Sequence, residues 1–208
     1  MNENIVKEFE PIFYPRSIAV VGASRRRLNF GTRLIQSLLS AGFTGPVYAV
    51  NPGASEIAGA HSYPSVASIP GVIDYVVSVV PASQVPDLIN ACAAKGVKVV
   101  QMFTAGYRET GQAQAVAMER DLVARARRLG VRIIGPNCVG VFNPRNRMPY
   151  PPMSSAGLPG NVAFISQSGG HATRVVADGL LRGVGFSKAV SFGNGSDIDS
   201  PDYLEYFA

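Results

Sequence analysis

The residues best suited to chemistry sit where an apolar run breaks into glycine, and the chain has two such places. Asn161-Val-Ala-Phe-Ile-Ser-Gln-Ser-Gly-Gly170 carries a short apolar stretch into a Ser/Gly turn and then into helical spacing. Backbone N–H groups at a helix start, approached closely past glycine, favour a phosphate or a carboxylate. Ser168, Gly169 and Gly170 are therefore candidates to hold an anion. Ser17-Ile-Ala-Val-Val21 opens in the same style into the loop Gly22-Ala-Ser-Arg-Arg-Arg-Leu-Asn-Phe-Gly31. An arginine in that loop can grip a phosphate through two parallel hydrogen bonds. A small phosphorylated ligand and a plain surface loop both stay open for Arg25, Arg26 and Arg27.

Other reactive residue types carry less. His171 follows the second turn directly, where an imidazole can bond a phosphate or help cap the helix. His61 sits in a polar stretch with no partner signal. Cys92 and Cys138 form no CxxC pair and are too few for a zinc site; Cys138 has no base near it in sequence and reads as a buried structural thiol. Asp197, Asp199, Asp202 and Glu205 lack the EF-hand pattern and read as caps and surface. Arg120, Arg125, Arg127, Arg128 and Arg132 read as a solvated helix face.

Elements to position these groups follow from the patterning. Five apolar, β-branched runs (Ser17–Val21, Val47–Val50, Asp74–Val80, Val97–Phe103 and Val131–Ile134) alternate with helical stretches. Those stretches end at Gly42, at Gly96 and near Leu129. Ser83 is a candidate cap for a helix over Pro86–Lys95, and a long helix is expected over Glu109–Leu129. Continuous apolar strands between helices predict a Rossmann-like, doubly wound parallel α/β sheet. Its ligands bind at the C-terminal strand ends, which are Gly22–Ser24, Asn51–Pro52, Pro81–Ser83, Thr104–Gly106 and Gly135–Cys138. A Pro-rich linker is expected over 146–160, followed by a second α/β unit over 161–208.

Composition excludes several classes. The 208 residues are 47% hydrophobic and 16% charged, with net charge +5, which describes a well-buried globular protein. No apolar run reaches the roughly 18 residues of a membrane span, and Met1-Asn2-Glu3-Asn4 makes no signal peptide. Two cysteines suit a reduced, cytoplasmic setting. No basic stripe interleaved with aromatics points to nucleic acid. A nicotinamide dinucleotide fits poorly too. The first loop is not G-x-G-x-x-G, and the second strand ends in Asn51 where NAD would need an acid. NADP, which could use the arginines, is weakened rather than removed.

Five segments occur in one order: Tyr14-Pro-Arg-Ser-Ile-Ala-Val-Val-Gly-Ala-Ser24, Tyr48-Ala-Val-Asn-Pro52, Val79-Val-Pro-Ala82, Phe103-Thr-Ala-Gly-Tyr-Arg-Glu109 and Gly135-Pro-Asn-Cys138. Together they resemble the CoA-binding domain of ADP-forming acyl-CoA synthetases, relatives of the succinyl-CoA synthetase α subunit. Phe164-Ile-Ser-Gln-Ser-Gly-Gly170 and Ser191-Phe-Gly-Asn194 resemble the start of that family's flavodoxin-like second domain.

The resemblance implies a CoA-binding domain over 1–145 and an incomplete second domain over 161–208. It implies that Gly22, Ala23, Ser24 and Arg25 hold the CoA phosphates. Asn51 and Pro52 would flank the adenosine, and Val80, Pro81 and Ala82 would line the cleft. Thr104, Ala105 and Gly106 would face the pantetheine arm, with Asn137 and Cys138 near the thiol. Ser168, Gly169 and Gly170 would hold phosphate beside a phosphohistidine.

The family reaction makes acyl-CoA, ADP and phosphate from acid, CoA and ATP through an acyl phosphate and that phosphohistidine. The histidine, and the ATP-grasp domain that takes ATP or ADP with Mg2+, are expected outside these residues. The remaining synthetase domains or a β-type subunit would then be partners, with a small carboxylic acid as co-substrate. An oligomer is expected wherever a sheet edge is left open. A stand-alone CoA-binding regulatory module and an NADP-dependent oxidoreductase fragment are the alternative readings.

Overall fold

The computed structural model describes residues 3–26 and 28–208. Met1, Asn2 and Arg27, the last of the arginine trio, lie outside the described residues. A first unit runs through α1 (Glu3–Phe13), β1 (Ile18–Val21), α2 (Phe30–Ala41), β2 (Val47–Val50), β3 (Glu56–Ile57), β4 (Ala60–Tyr63) and β5 (Tyr75–Ser78). It continues with α3 (Val85–Lys95), β6 (Val99–Met102), α4 (Ala113–Arg128) and β7 (Arg132–Ile134). A second follows with β8 (Gly140–Phe142), β9 (Val162–Ser166), α5 (Gly169–Leu181), β10 (Phe186–Ser191) and α6 (Ser200–Phe207).

The first sheet has the order β3-β4-β2-β1-β5-β6-β7 and is parallel except for the β3–β4 pair. Its five parallel apolar strands are those the sequence predicts. Every residue of β1, β5 and β6 is buried, which is why they read as unbroken apolar runs. The chain passes from β1 to β2 on one side and later to β5 on the other. This reversal opens a crevice between the C-terminal ends of β1 and β5, where ligands of such sheets bind.

Local chemistry sets the helix ends. Gly42 stops α2 at φ 74°, its amide bonding the Leu38 and Leu39 carbonyls. Gly96 ends α3 at φ 82°. Ser83 does not cap α3: Ala82–Gln84 form a 3-10 turn, and the helix begins at Val85 with Pro86 in its first turn, where no N–H is needed. The long helix expected from Glu109 is split at Gly111, whose φ of 74° closes a 3-10 turn over Arg108–Thr110 before α4 begins.

Helices α3 and α4 cover one face of the sheet through Leu88, Ile89, Leu122 and Val123. On the other face α2 is joined by α1, whose Phe9 and Phe13 pack with Tyr203 and Tyr206 of α6. Burying each such ring contributes about 2–3 kcal/mol. The second sheet has the order β8-β10-β9, with β8 antiparallel and β9 parallel to β10. Residues 146–160 contain no helix or strand, yet they are packed rather than tethered. Met148, Tyr150 and Ala156 are buried, and the Tyr150 hydroxyl donates to the Gly140 carbonyl at 3.1 Å.

Candidate functional site

The turn after β1 is framed by side-chain amides. Gly22 has φ 96°, and a Cβ there would meet Val80 Cγ1 at 3.0 Å and the Val79 carbonyl carbon at 3.1 Å, so only glycine brings the backbone this close to β5. Asn29 caps α2, accepting the Thr32 N–H at 3.0 Å, while its own amide donates to the Gly22 carbonyl at 2.8 Å. The Thr32 hydroxyl takes the Ser24 N–H and donates to the Ser24 carbonyl. Asn51, at the end of β2, reaches across to donate to the Ala23 carbonyl at 2.8 Å and accepts the Gly53 N–H at 2.9 Å.

With its polar atoms committed, Asn51 braces two strand ends. Two cavities of about 550 Å³ each meet at this residue. One is arginine-lined, with Ser24, Arg25, Arg26 and Gly53 on its walls. The other is mostly apolar, with Gly22, Pro52, Val80, Pro81 and Leu88, and it has Gln84 and Asp87 for polar contact.

Thr104 turns inward, its hydroxyl bonding Ser78 Oγ at 3.0 Å and the Val80 carbonyl at 2.8 Å. Ala105 and Gly106 beside it are exposed, and Ala82 is half-buried. Asn137 has φ 57° and lies at the surface. Cys138 is buried against the Met102 and Ile134 carbonyls, and burial pushes its thiol up to about 12. A thiol held protonated at neutral pH is no nucleophile.

The turn after β9 works differently. Ser168 caps α5 by accepting the His171 N–H at 3.3 Å, and Ser166 Oγ accepts the Ser168 N–H at 3.1 Å. A Cβ on Gly169 would sit 2.5 Å from Val139, whereas one on Gly170 would meet nothing nearer than Ser168 Oγ at 3.9 Å. A cavity of about 400 Å³ lies between the units. Its walls include Asn137 and Cys138 on one side and Ser168, Gly169 and Gly170 on the other. The expected thiol end and the expected anion turn thus face one space. Phe103, on the wall of this cavity, stacks on Phe30 at 3.8 Å between ring centroids, which joins it to the start of α2.

The remaining expectations fall elsewhere. His171 is exposed, and its backbone serves the cap. His61 lies not in a loop but on β4, its ring against Tyr63. Asp199 and Asp202 form the capping box of α6. Asp197 is corrected from surface to core: its side chain is fully buried and accepts from Arg127 Nε, Arg132 Nε and the Ile133 N–H. Arg132 is thereby drawn partly inward, its side chain 29% exposed, while Arg127 stays 58% exposed and reaches Asp197 from the solvated face. A cavity of about 640 Å³ beside them, also lined by Lys7 and Lys98, lies at the N-terminal strand ends, away from the rim where parallel sheets bind ligands.

Sequence reasoning missed a polar network beside the small cavity. Glu119 on α4 is 3% exposed and accepts from the Arg108 N–H, Asn194 Nδ2 and the Ser196 hydroxyl. Glu109 accepts the Gly106 and Tyr107 N–H groups and Asn194 Nδ2 at 2.7 Å. Burial opposes the charge on Glu109, but these bonds outweigh it and hold the carboxyl below its ordinary value. The signal was present: Glu119 stands in register with the buried Ala115, Leu122 and Ala126, and an acid in an apolar helix stripe needs partners.

Comparison with known proteins gives two family matches. Residues 16–144 match the family described as CoA binding domain, and residues 159–208 match the succinyl-CoA ligase like flavodoxin domain. Acetate–CoA ligase [ADP-forming] I of Archaeoglobus fulgidus is 41% identical over 199 residues, covering 96% of this chain and 29% of that protein. Acetate–CoA ligase [ADP-forming] II subunit alpha of Pyrococcus furiosus is 41% identical over 196 residues, covering 94% and 42%. The dinucleotide-forming acetyl-coenzyme A synthetase 1 of Ca. Korarchaeum cryptofilum, solved with phosphate and ADP, superposes with a TM-score of 0.86. It is 38% identical and covers 96% of this chain and 42% of that one.

Proposed function

The chain belongs to the CoA-binding domain family as carried by ADP-forming acyl-CoA synthetases, and we propose that it is the CoA-binding N-terminal portion of such an enzyme. One observation carries this reading. The apolar and the arginine-lined cavities meet at Asn51, beside the crevice between β1 and β5. A ligand with a flat apolar base at one end and phosphates at the other matches that pair, and Gly22 lies on the wall of the apolar one.

On this reading the adenine takes the slot beside Val80 and Pro81, flanked by Asn51 and Pro52. The backbone of Gly22–Ser24, with Arg25, takes the phosphates. The pantetheine arm runs past Ala82, Ala105 and Gly106 toward Asn137 and Cys138. Cys138 stays protonated and does not compete with the thiol of CoA. Across the 400 Å³ cavity the amides at Ser168, Gly169 and Gly170 hold a phosphate, with Ser168 fixing the turn. Acid activation and exchange with ATP or ADP and Mg2+ would draw on residues beyond those matched here, since the chain spans 29% and 42% of the two ligases it resembles.

Partner domains or subunits of the synthetase would cover the β9 edge of the second sheet. Val162 there is 41% exposed, and nearby Leu158 and Leu181 exceed 80%. Left uncovered, this edge predicts self-association of the isolated chain by light scattering.

Calorimetry tests the ligand. CoA binds and NADPH does not, and Arg25→Ala weakens CoA about tenfold, or ~1.4 kcal/mol. Tight NADPH binding with no CoA binding would overturn the reading in favour of a dinucleotide site.

A further inference from the structure

Resting on the CoA-binding reading, we propose that Asn194 is a positioning residue that fixes the anion-binding helix start against the CoA rim. Its side-chain amide has two N–H groups. One donates to Glu109 and the other to Glu119, each at 2.7 Å. Both acceptors belong to the first unit, and neither can follow a moving Asn194. Glu119 is held within the first unit by the Arg108 N–H and by Arg108 Nε at 3.3 Å, and Glu109 by the amides of Gly106 and Tyr107. The Ser196 hydroxyl adds a second bond from the segment of Asn194 to Glu119. The Asn194 N–H in turn bonds the Pro136 carbonyl at 2.9 Å.

From Asn194 the constraint passes directly to the second turn. The Gly193 N–H bonds the Gln167 carbonyl at 3.1 Å, and the Phe192 N–H bonds the Ser166 carbonyl at 3.0 Å. Gly193 packs so closely on the first unit that a Cβ would lie 2.1 Å from the Pro136 carbonyl oxygen. At the other end of the same segment, Asp197 is pinned by Arg127 and Arg132. The spacing across the small cavity, between Asn137–Cys138 and Ser168–Gly170, is therefore set by Asn194. Groups exchanged across that cavity react only when held in near-attack geometry, and an error of about 1 Å can cost about a hundredfold in rate.

The test uses the enzyme that contains this chain, assayed for acyl-CoA formation. Asn194→Ala lowers kcat about 10- to 100-fold, while the KM for CoA and the calorimetric Kd stay within about threefold. Glu109→Ala, which cuts only the exposed arm and leaves the buried carboxylate in place, lowers kcat about 5- to 10-fold. Ile198→Val, a buried change on the same segment away from the cavity, lowers Tm but leaves kcat within about twofold. Wild-type enzyme that binds CoA, with kcat unchanged in both clasp variants, overturns the positioning role alone. So does a kcat loss that merely tracks the fraction unfolded at the assay temperature. Wild-type protein that ignores CoA overturns the binding reading and the positioning role with it.

Discussion

The turn after β1 takes its order from its own unit, whereas the turn after β9 borrows much of its order from the other. In the first, Asn29, Thr32 and Asn51 tie down the carbonyls of Gly22, Ala23 and Ser24 within one sheet. In the second, Ser166 and Ser168 make short local bonds, and the outer frame is the 192–197 segment clamped to Glu109, Glu119, Arg127 and Arg132. A self-framed turn can bind before anything else is in place. A borrowed one is ordered only when both units are docked, so its anion affinity reports on the junction.

Substitutions can break this contrast, and the largest effect should come from glycine. Gly193→Ala forces a side chain onto the Pro136 carbonyl at a φ of 57°. It should destabilise by about 3 kcal/mol or more in urea unfolding. Gly170→Ala has no neighbour nearer than 3.9 Å and should leave stability unchanged. Equal effects at the two positions would mean that the junction is not tightly closed.

Next in size is Asn51→Ala, which removes two hydrogen bonds from the first turn and should cost about 2 kcal/mol. It should also weaken CoA in calorimetry while leaving α5 untouched by hydrogen exchange. Protection lost in α5 as well would show that the two turns are not independently framed. Ser168→Ala should cost about 1 kcal/mol as a lost helix cap without changing CoA affinity.

The smallest effect is a pH dependence. The Glu109 carboxyl is held below its ordinary value in the fold. Its contribution is therefore complete above the unfolded-state carboxylate pKa of about 4.3 and disappears as pH falls through the lower folded value. The stability advantage of wild type over Glu109→Gln should shrink between neutral pH and pH values below that range. An advantage that grows in acid would reverse the sign and remove Glu109 from the network.

What the sequence revealed followed from how local the cause was. The five parallel strands were legible because strands buried on both faces consist of apolar, β-branched residues. The rim came with them, since it is only their ends. The β3–β4 hairpin was not legible, because its turn places Ala58 at φ 54° without the Asn-Gly or Asp-Gly signal. Helix α1 was missed across Pro11. β8 is only three residues long and owes its existence to β10, far along the chain. The Glu109–Glu119–Asn194 network failed to show for a related reason. Each residue is ordinary in its own segment and becomes a partner only after folding.

Phe9 and Phe13 lie on the first helix, yet they stack on Tyr206 of α6, and Phe13's carbonyl is held by Asn143 from 130 residues away. On a ribosome, α1 emerges with its apolar stripe exposed and must wait for most of these residues before that stripe is covered. A helix made before all the others among the described residues is thus among the last of them to be buried. Chaperone binding during synthesis should therefore concentrate on α1 rather than on the β1–α2 turn, whose partners arrive soon after it.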